Sequence, residues 1–466
     1  MNGSSGMRRS GSSSLLFLAD RPFRKKWNVM QEKTVLELFI EHDREGTYFT
    51  LPFTMPADTE TLTLSYQYER YRESESQIGN GSFVSRQEVN IIDLGLIAPD
   101  GTQVGTSGSD KNEICLSATS ATPGYKPYPL VPGTWLILIG AYKVAPEGVA
   151  VTYELSVSKK SIRVFKGDLH VHTIASDGVL TTEELGWHAL RHGLDFVAVT
   201  DHNQFVSTDA LPHIPGITLI PGVEWTHYLG HANFLGLDKP YDPPFATNTP
   251  EETFARFDSA RSRGALIIIN HPFDEGSGFQ FDMNALPYDC LEVWNGPMRE
   301  SNLRSVGLWQ SMLSTGKKVP IIGGSDYHRD SLFQILGGPT TCVYALSPSS
   351  SDILSALKAG HAYITFAPNG PTLELTAGNA ILGDTVVWSQ IKVLQMVAGG
   401  LLRGDVIRVI TGDSSENILE APSNGYVRAA YTMKKPGFAR VEILRSFLPG
   451  LPMLPALISN PIYFEE

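Results

Sequence analysis

Between about Val35 and Lys160 the apolar residues fall in short runs rich in β-branched and aromatic side chains: VLELFIEH, GTYFTLPF, TLTLSYQY, VNIIDLGLIAP, TWLILIGAY and VTYELSVS. Turn signals such as PDG (Pro99 to Gly101) and PGT (Pro132 to Thr134) separate them, and no long stretch shows a helical period. This pattern predicts an all-β sandwich or jelly roll over residues 14–162. The segment before it, MNGSSGMRRSGSS (1–13), reads as a tag-like or disordered tail.

After Phe165 the pattern changes. Apolar strands (LDFVAVT, ITLIPGVE, HANFLGL, ALIIINH, CLEVWN, VPIIGGSD) now alternate with helical segments. Thr249, Pro250 and Glu252 spell a capped helix start, and Gly264 a stop. Most of these strands are continuous apolar runs, as expected of parallel strands buried on both faces. Repeated βα units over residues 163–370 predict a (β/α) barrel. From about Pro371 to Glu466 short strands return, which predicts a small C-terminal β domain.

Composition narrows the function classes. The chain of 466 residues has a net charge of −12, which argues against general nucleic-acid or membrane binding. Three scattered cysteines without a CxxC exclude a cysteine zinc site and argue against a disulfide framework. No apolar run approaches a membrane span, and SLLFLAD (Ser14 to Asp20) is too short for a signal peptide core. A cytoplasmic location is expected, with export left open.

The candidate chemistry lies where the strands end. The first runs into Asp168, His170 and His172, and the next ends in Asp201 and His202. Later ones end in Glu224, in His271, and in Asp326 and His328. Barrel enzymes build their sites on that face. In His170-x-His172 and Asp326-x-His328 the period of two aims both side chains to one side. Imidazoles and carboxylates without thiolate suit zinc, manganese or iron. His188 and His192 lie on a helix outside this pattern and are read as packing or solvent-facing, as are His213, His227 and His361 in or near loops. Cys290 is read as core.

The motifs DLHVHTIASDG, FVAVTDHN, IPGVE, NHP and GGSDYH, in this order, resemble those of the PHP (polymerase and histidinol phosphatase) family over roughly residues 164 to 368. With β-rich segments on both sides and GHANFLGL inside, the layout resembles the branch that includes carbaryl hydrolase. The resemblance implies a distorted (β/α)7 barrel holding two or three divalent ions. It implies His170, His172 and Asp177 as ligands from the first motif and Glu224 as a bridging carboxylate. His202, His271, Asp326 and His328 fill later ligand positions, and His231 is the candidate for a further histidine, with His227 as the alternative. Asp177 stands where some members carry histidine, an oxygen ligand that favours manganese or iron. Asp201 is expected to orient a ligand from behind.

Paired metals imply hydrolysis, with a hydroxide held by the metals as the expected nucleophile. Asp326 or His328 is the candidate proton shuttle. Phosphoesters are the favoured substrate class by analogy with the family. Arg299 and Arg329, and less so Arg304, are candidate phosphate clamps. The alternatives are a carbamate, ester or amide hydrolase, with Trp225, Tyr228, Trp294 and Tyr327 lining an apolar pocket, and a non-catalytic binding protein with a structural metal site.

Overall fold

The computed structural model describes residues 31–78 and 81–466; the expected tail at 1–13 and the SLLFLAD segment lie outside them. The first part is built from two four-stranded antiparallel sheets and a separate two-stranded hairpin, Tyr71–Ile78 with Gly81–Glu88. One orders its strands Gln31–Ile40, Val149–Lys159, Thr59–Tyr68 and Glu113–Ser117. The other orders Thr47–Met55, Gly133–Lys143, Ile91–Ile97 and Gln103–Ser107. Alternation along Thr59–Tyr68 buries Leu62, Leu64 and Tyr66, which share one core with Trp135, Ile137 and Ile139 of the facing sheet.

The strands that come next in the chain are β1 (Arg163–Asp168), β2 (Phe196–Val199), β3 (Thr218–His227), β4 (Gly230–Leu235), β5 (Leu266–Ile269), β6 (Cys290–Asn295), β7 (Ile321–Gly324), β8 (Thr340–Ala345) and β9 (Ala362–Thr365), and the ligand-type residues lie on or just beyond β1 to β5 and β7. Four α-helices lie between them among the described residues: α1 (Thr182–Arg191), α2 (Pro250–Arg263), α3 (Glu300–Ser314) and α4 (Ser350–Lys358). The residue types explain the helix ends. Thr181 and Glu184 close a full capping box on α1. At α2 the Thr249 hydroxyl accepts from Glu252 N, but the Glu252 carboxylate turns to Asn248 N instead. Gly264, at φ 95°, ends that helix in the left-handed region.

The expected closed (β/α)7 ring is not formed by backbone pairing. β1, β2 and β3 run parallel, as do β5, β6 and β7. Between these sets β4 is antiparallel to both neighbours. Only Tyr228 and Leu229 join β3 to β4, and a link that short makes a hairpin, not a crossover. The other edge of β1 is taken by β8, antiparallel, so no edge is left there for β7. Instead β7 approaches its neighbours through single contacts: an isolated bridge from Val171 to Tyr327, and Gly323 N donating to Thr341 Oγ1 at 2.9 Å.

The same ladder runs on beyond β9. Leu454–Ser459 pairs with β9, then Gly437–Arg445, Val406–Ile410 and Ser415–Glu420 extend it in turn. A further sheet contains Thr372–Ala377, Val393–Leu401 and Gly425–Thr432. Cys290 and Cys342 are buried, Cys115 is exposed, and all three are free thiols. Among the described residues no helix is long and apolar enough to cross a membrane.

Candidate metal centre

The ends of β1, β2, β5 and β7, together with β3 and β4, deliver their side chains to one place. His170 and His172 lie just beyond β1 on extended backbone tied to Tyr327: His172 N donates to Tyr327 O at 2.8 Å. The turn after them brings Asp177 back, with His172 Nδ1 3.9 Å from its carboxylate. That turn needs glycine at 178, because a Cβ there would collide with the His172 carbonyl. His271 and Asp326 sit at positive φ (24° and 53°), a conformation non-glycine residues rarely adopt and one that surrounding contacts must hold.

Glu224, fully buried on β3, is the hub. Its Oε1 lies 3.1 Å from His170 Nε2, 3.1 Å from His231 Nδ1 and 3.5 Å from His271 Nε2. Its Oε2 lies 2.8 Å from His202 Nδ1 and 3.5 Å from His172 Nε2. Asp326 Oδ1 adds contacts of 3.0 Å to His172 and 3.4 Å to His170. His328 Nε2 reaches Asp177 at 3.2 Å, and His202 reaches the other Asp177 oxygen at 3.7 Å. All nine expected ligand positions thus lie in one cluster. His227, the alternative to His231, is turned away: it stacks on Trp225, its Nε2 donates to Thr247 O, and its Nδ1 accepts from Leu229 N.

The electrostatics result from this crowding. Burial alone would push His170 down, but Asp326, Glu224 and Glu292 together raise it well above the usual histidine range. Burial likewise opposes the Glu224 charge, yet His170 and the other imidazoles hold its carboxyl well below the ordinary value. His172 goes the other way: its burial outweighs the pull of Asp326 and lowers it.

Several supporting residues escaped the sequence reading. Glu292, fully buried in β6, accepts from His170 Nδ1 at 3.1 Å and from His271 N at 2.9 Å. Asn270 Nδ2 donates to Glu224 Oε1 and to Asn233 Oδ1, each at 2.9 Å. Asn295 Nδ2 donates to Asp326 Oδ2 at 3.3 Å. The signal was there: a single acid or amide inside an apolar strand such as CLEVWN must have a buried partner. Asp201 accepts from Thr173 N (2.7 Å), Thr173 Oγ1 (2.8 Å) and Ser176 Oγ (2.7 Å), so it braces the loop that carries Asp177. Asp168 accepts from Ser325 N, Ser325 Oγ and Gly337 N; burial pushes its carboxyl up to about 6 against these bonds.

The remaining expected residues fall outside the cluster. Arg299 pairs with Asp274 at 3.3 Å and donates to Asn295 Oδ1 at 3.0 Å, one side chain removed from Asp326. Arg329 is exposed beside His328, and Arg304 lies over the Phe273 ring at 4.6 Å. Trp225, Trp294 and Tyr327 are packed in the core, and Tyr228 stands in solvent, so these four do not form a pocket wall. His188 reaches Asp330 at 3.3 Å, His192 donates to Leu336 O, His361 pairs with Asp384, and His213 is exposed.

The donor set fits divalent cations. Four overlapping groups offer ligand atoms within 4.8 Å of one another: His172, Asp177, His202 and His328; His170, His172 and Asp326; His170, Glu224 and His271; His202, Glu224 and His231. Inside the cluster His170 Nε2, His172 Nδ1, Glu224 Oε2 and His271 Nδ1 are buried without an aligned hydrogen-bond partner. Buried polar atoms left so are costly, and a cation would satisfy them. With imidazole and carboxylate alone, the set suits zinc, manganese or iron.

No family model matches the chain. The chain is 34% identical over 55 residues to the DNA polymerase/3'-5' exonuclease PolX of Bacillus subtilis, a match covering 12% of this chain and 10% of that protein. It is 34% identical over 112 residues to the 5'-3' exoribonuclease Rnm of Salmonella typhimurium, covering 22% of this chain and 36% of that one. The chain thus spans about a tenth of the first of these curated relatives and about a third of the second. Among solved structures, a two-domain protein from Bacteroides vulgatus containing a predicted PHP-like metal-dependent phosphoesterase superposes with a TM-score of 0.38 at 17% identity, over 64% of this chain and 95% of that one.

Proposed function

We propose that this chain is a metal-dependent hydrolase of the PHP type, acting on phosphoesters. One observation carries the reading: five imidazole nitrogens lie within 3.5 Å of the buried Glu224 carboxylate. A carboxylate so surrounded would hold divalent cations together with His170, His231 and His271, which face its Oε1, and His172 and His202, which face its Oε2. Cations held there would supply an electrophile for a phosphoryl or carbonyl oxygen and would acidify water.

The protein's own groups do the rest. His328 Nδ1 donates to Asp326 O at 2.8 Å, which leaves its Nε2 as the exchangeable position toward Asp177. Asp326 and His328, both about a quarter exposed, are the groups placed to pass a proton between the cluster and solvent. Arg299, held by Asp274 and Asn295, supplies a cationic donor beside Asp326 for a substrate anion. The two curated relatives are named for cleaving nucleic-acid phosphodiesters, which supports the substrate class. A small phosphoester agrees better than a long nucleic acid with the net charge of −12.

A carbamate or ester substrate has one observation on its side. Ile174, Val179, Leu332 and Phe333, in the loops after His172 and His328, are exposed apolar residues suited to an aryl group. Assays with para-nitrophenyl phosphate, bis-para-nitrophenyl phosphate and naphthyl carbamate esters, with manganese or zinc added, separate the readings. Phosphoester turnover is expected. Carbamate turnover alone would move the assignment to the second reading, and a metal-loaded but inert protein would leave only a structural centre.

A further inference from the structure

We propose that Glu292 is a positioning residue, fixing Nε2 of His170 as the atom presented to the cations and holding His271 in place. The inference rests on the metal-centre reading above. A carboxylate only accepts hydrogen bonds, so the 3.1 Å contact from Glu292 Oε1 to His170 Nδ1 places a proton on Nδ1. The opposite ring nitrogen then faces Glu224 at 3.1 Å and Asp326 at 3.4 Å, where it has no aligned partner of its own.

The second oxygen serves another ligand. Glu292 Oε2 accepts from His271 N at 2.9 Å, the main chain that carries φ 24°. It also accepts from Asn295 Nδ2 at 3.3 Å, and the same amide group reaches Asp326 Oδ2 at 3.3 Å. One fully buried carboxylate therefore touches His170 and His271 directly and Asp326 through one amide. The fold makes room for it: a Cβ on Gly324 would come within 2.8 Å of Glu292 Oε1 and would collide with His170 Cβ. A glycine at the end of β7 is thus what allows this carboxylate and this ring to meet.

Carboxylates behind ligating histidines typically alter metal affinity by about 10- to 100-fold when removed. Glu292→Gln keeps the shape but puts a donor or a weaker acceptor against Nδ1. The expected result is a loss of about 10- to 100-fold in zinc affinity, read by competition with a chelator. The melting temperature of the metal-free protein should stay close to wild type, while the rise on adding zinc shrinks. A merely structural role would lower the metal-free melting temperature and leave the affinity alone. Glu292→Asp, which restores the charge at shorter reach, should recover part of the affinity. Zinc affinity of Glu292→Gln within about twofold of wild type would overturn the proposal. Should that variant fail to fold, the ¹⁵N-histidine spectrum of zinc-loaded wild type decides: a protonated Nδ1 on His170 supports it, and a zinc-bound Nδ1 sinks it. Wild type that takes up less than one zinc would instead bring down the metal-centre reading, a distinct outcome.

Discussion

At the scale of residues, the ligand-type side chains stood out because they end apolar strands and repeat with a period of two, as in HVH and DYH. Glu292, Asn270 and Asn233 were hidden because nothing in one strand says which neighbour its lone polar residue meets. Two predictions belong here. Asp326→Asn and His202→Ala should each lose orders of magnitude in turnover of whichever assay substrate is accepted, with metal content falling in parallel, because the first removes the negative charge that holds a cation and the second an imidazole lone pair. His188→Ala is the control: its ring contacts Asp330, outside the cluster, and near-normal activity is expected. A dead His188→Ala beside an active Asp326→Asn would mean the site lies elsewhere. The second concerns pH. His170 and His271 are raised by the carboxylates around them despite burial, so the metal-free protein holds protons that a cation must displace. Metal affinity should therefore fall as pH falls; chelator competition at about pH 6 and about pH 8 checks this, and equal affinities would contradict it.

At the scale of elements, the helix starts and stops were legible because caps are local, while the closed ring was not found because pairing is not local. The two residues between β3 and β4 were the overlooked sign that HANFLGL returns antiparallel. The turn at Ser176, Asp177 and Gly178 offers a test of how tightly an element holds a ligand. Gly178→Ala should push the turn off the His172 carbonyl and carry Asp177 with it. A drop of about tenfold or more in metal affinity is expected, with a folded protein by circular dichroism. Unchanged affinity would show that Asp177 does not depend on this turn.

At the scale of the whole molecule, the strand-only grammar before Lys160 corresponds to two sheets around a core of their own. The seam between these sheets and the metal-bearing strands carries polar contacts: Arg163 with Glu60 at 2.9 Å, Lys160 with Asp352 at 2.9 Å, and Ser161 N with Leu346 O at 3.1 Å. Residues 31–160 expressed alone should fold as a soluble β-rich piece with one cooperative melting transition. An unfolded or insoluble fragment would show that the sandwich leans on the rest of the chain.

The pairing of β9 with Leu454–Ser459 bears on how the molecule comes into being. Every strand that carries a cluster residue has left the ribosome before the strand that covers β9 has been made. Until then β9 offers a row of unsatisfied amide and carbonyl groups to any passing strand. Synthesis therefore completes the chemistry first and its protection last, and the interval between them is the period in which a nascent chain is open to misassociation. A gene cut after the cluster would make that interval permanent.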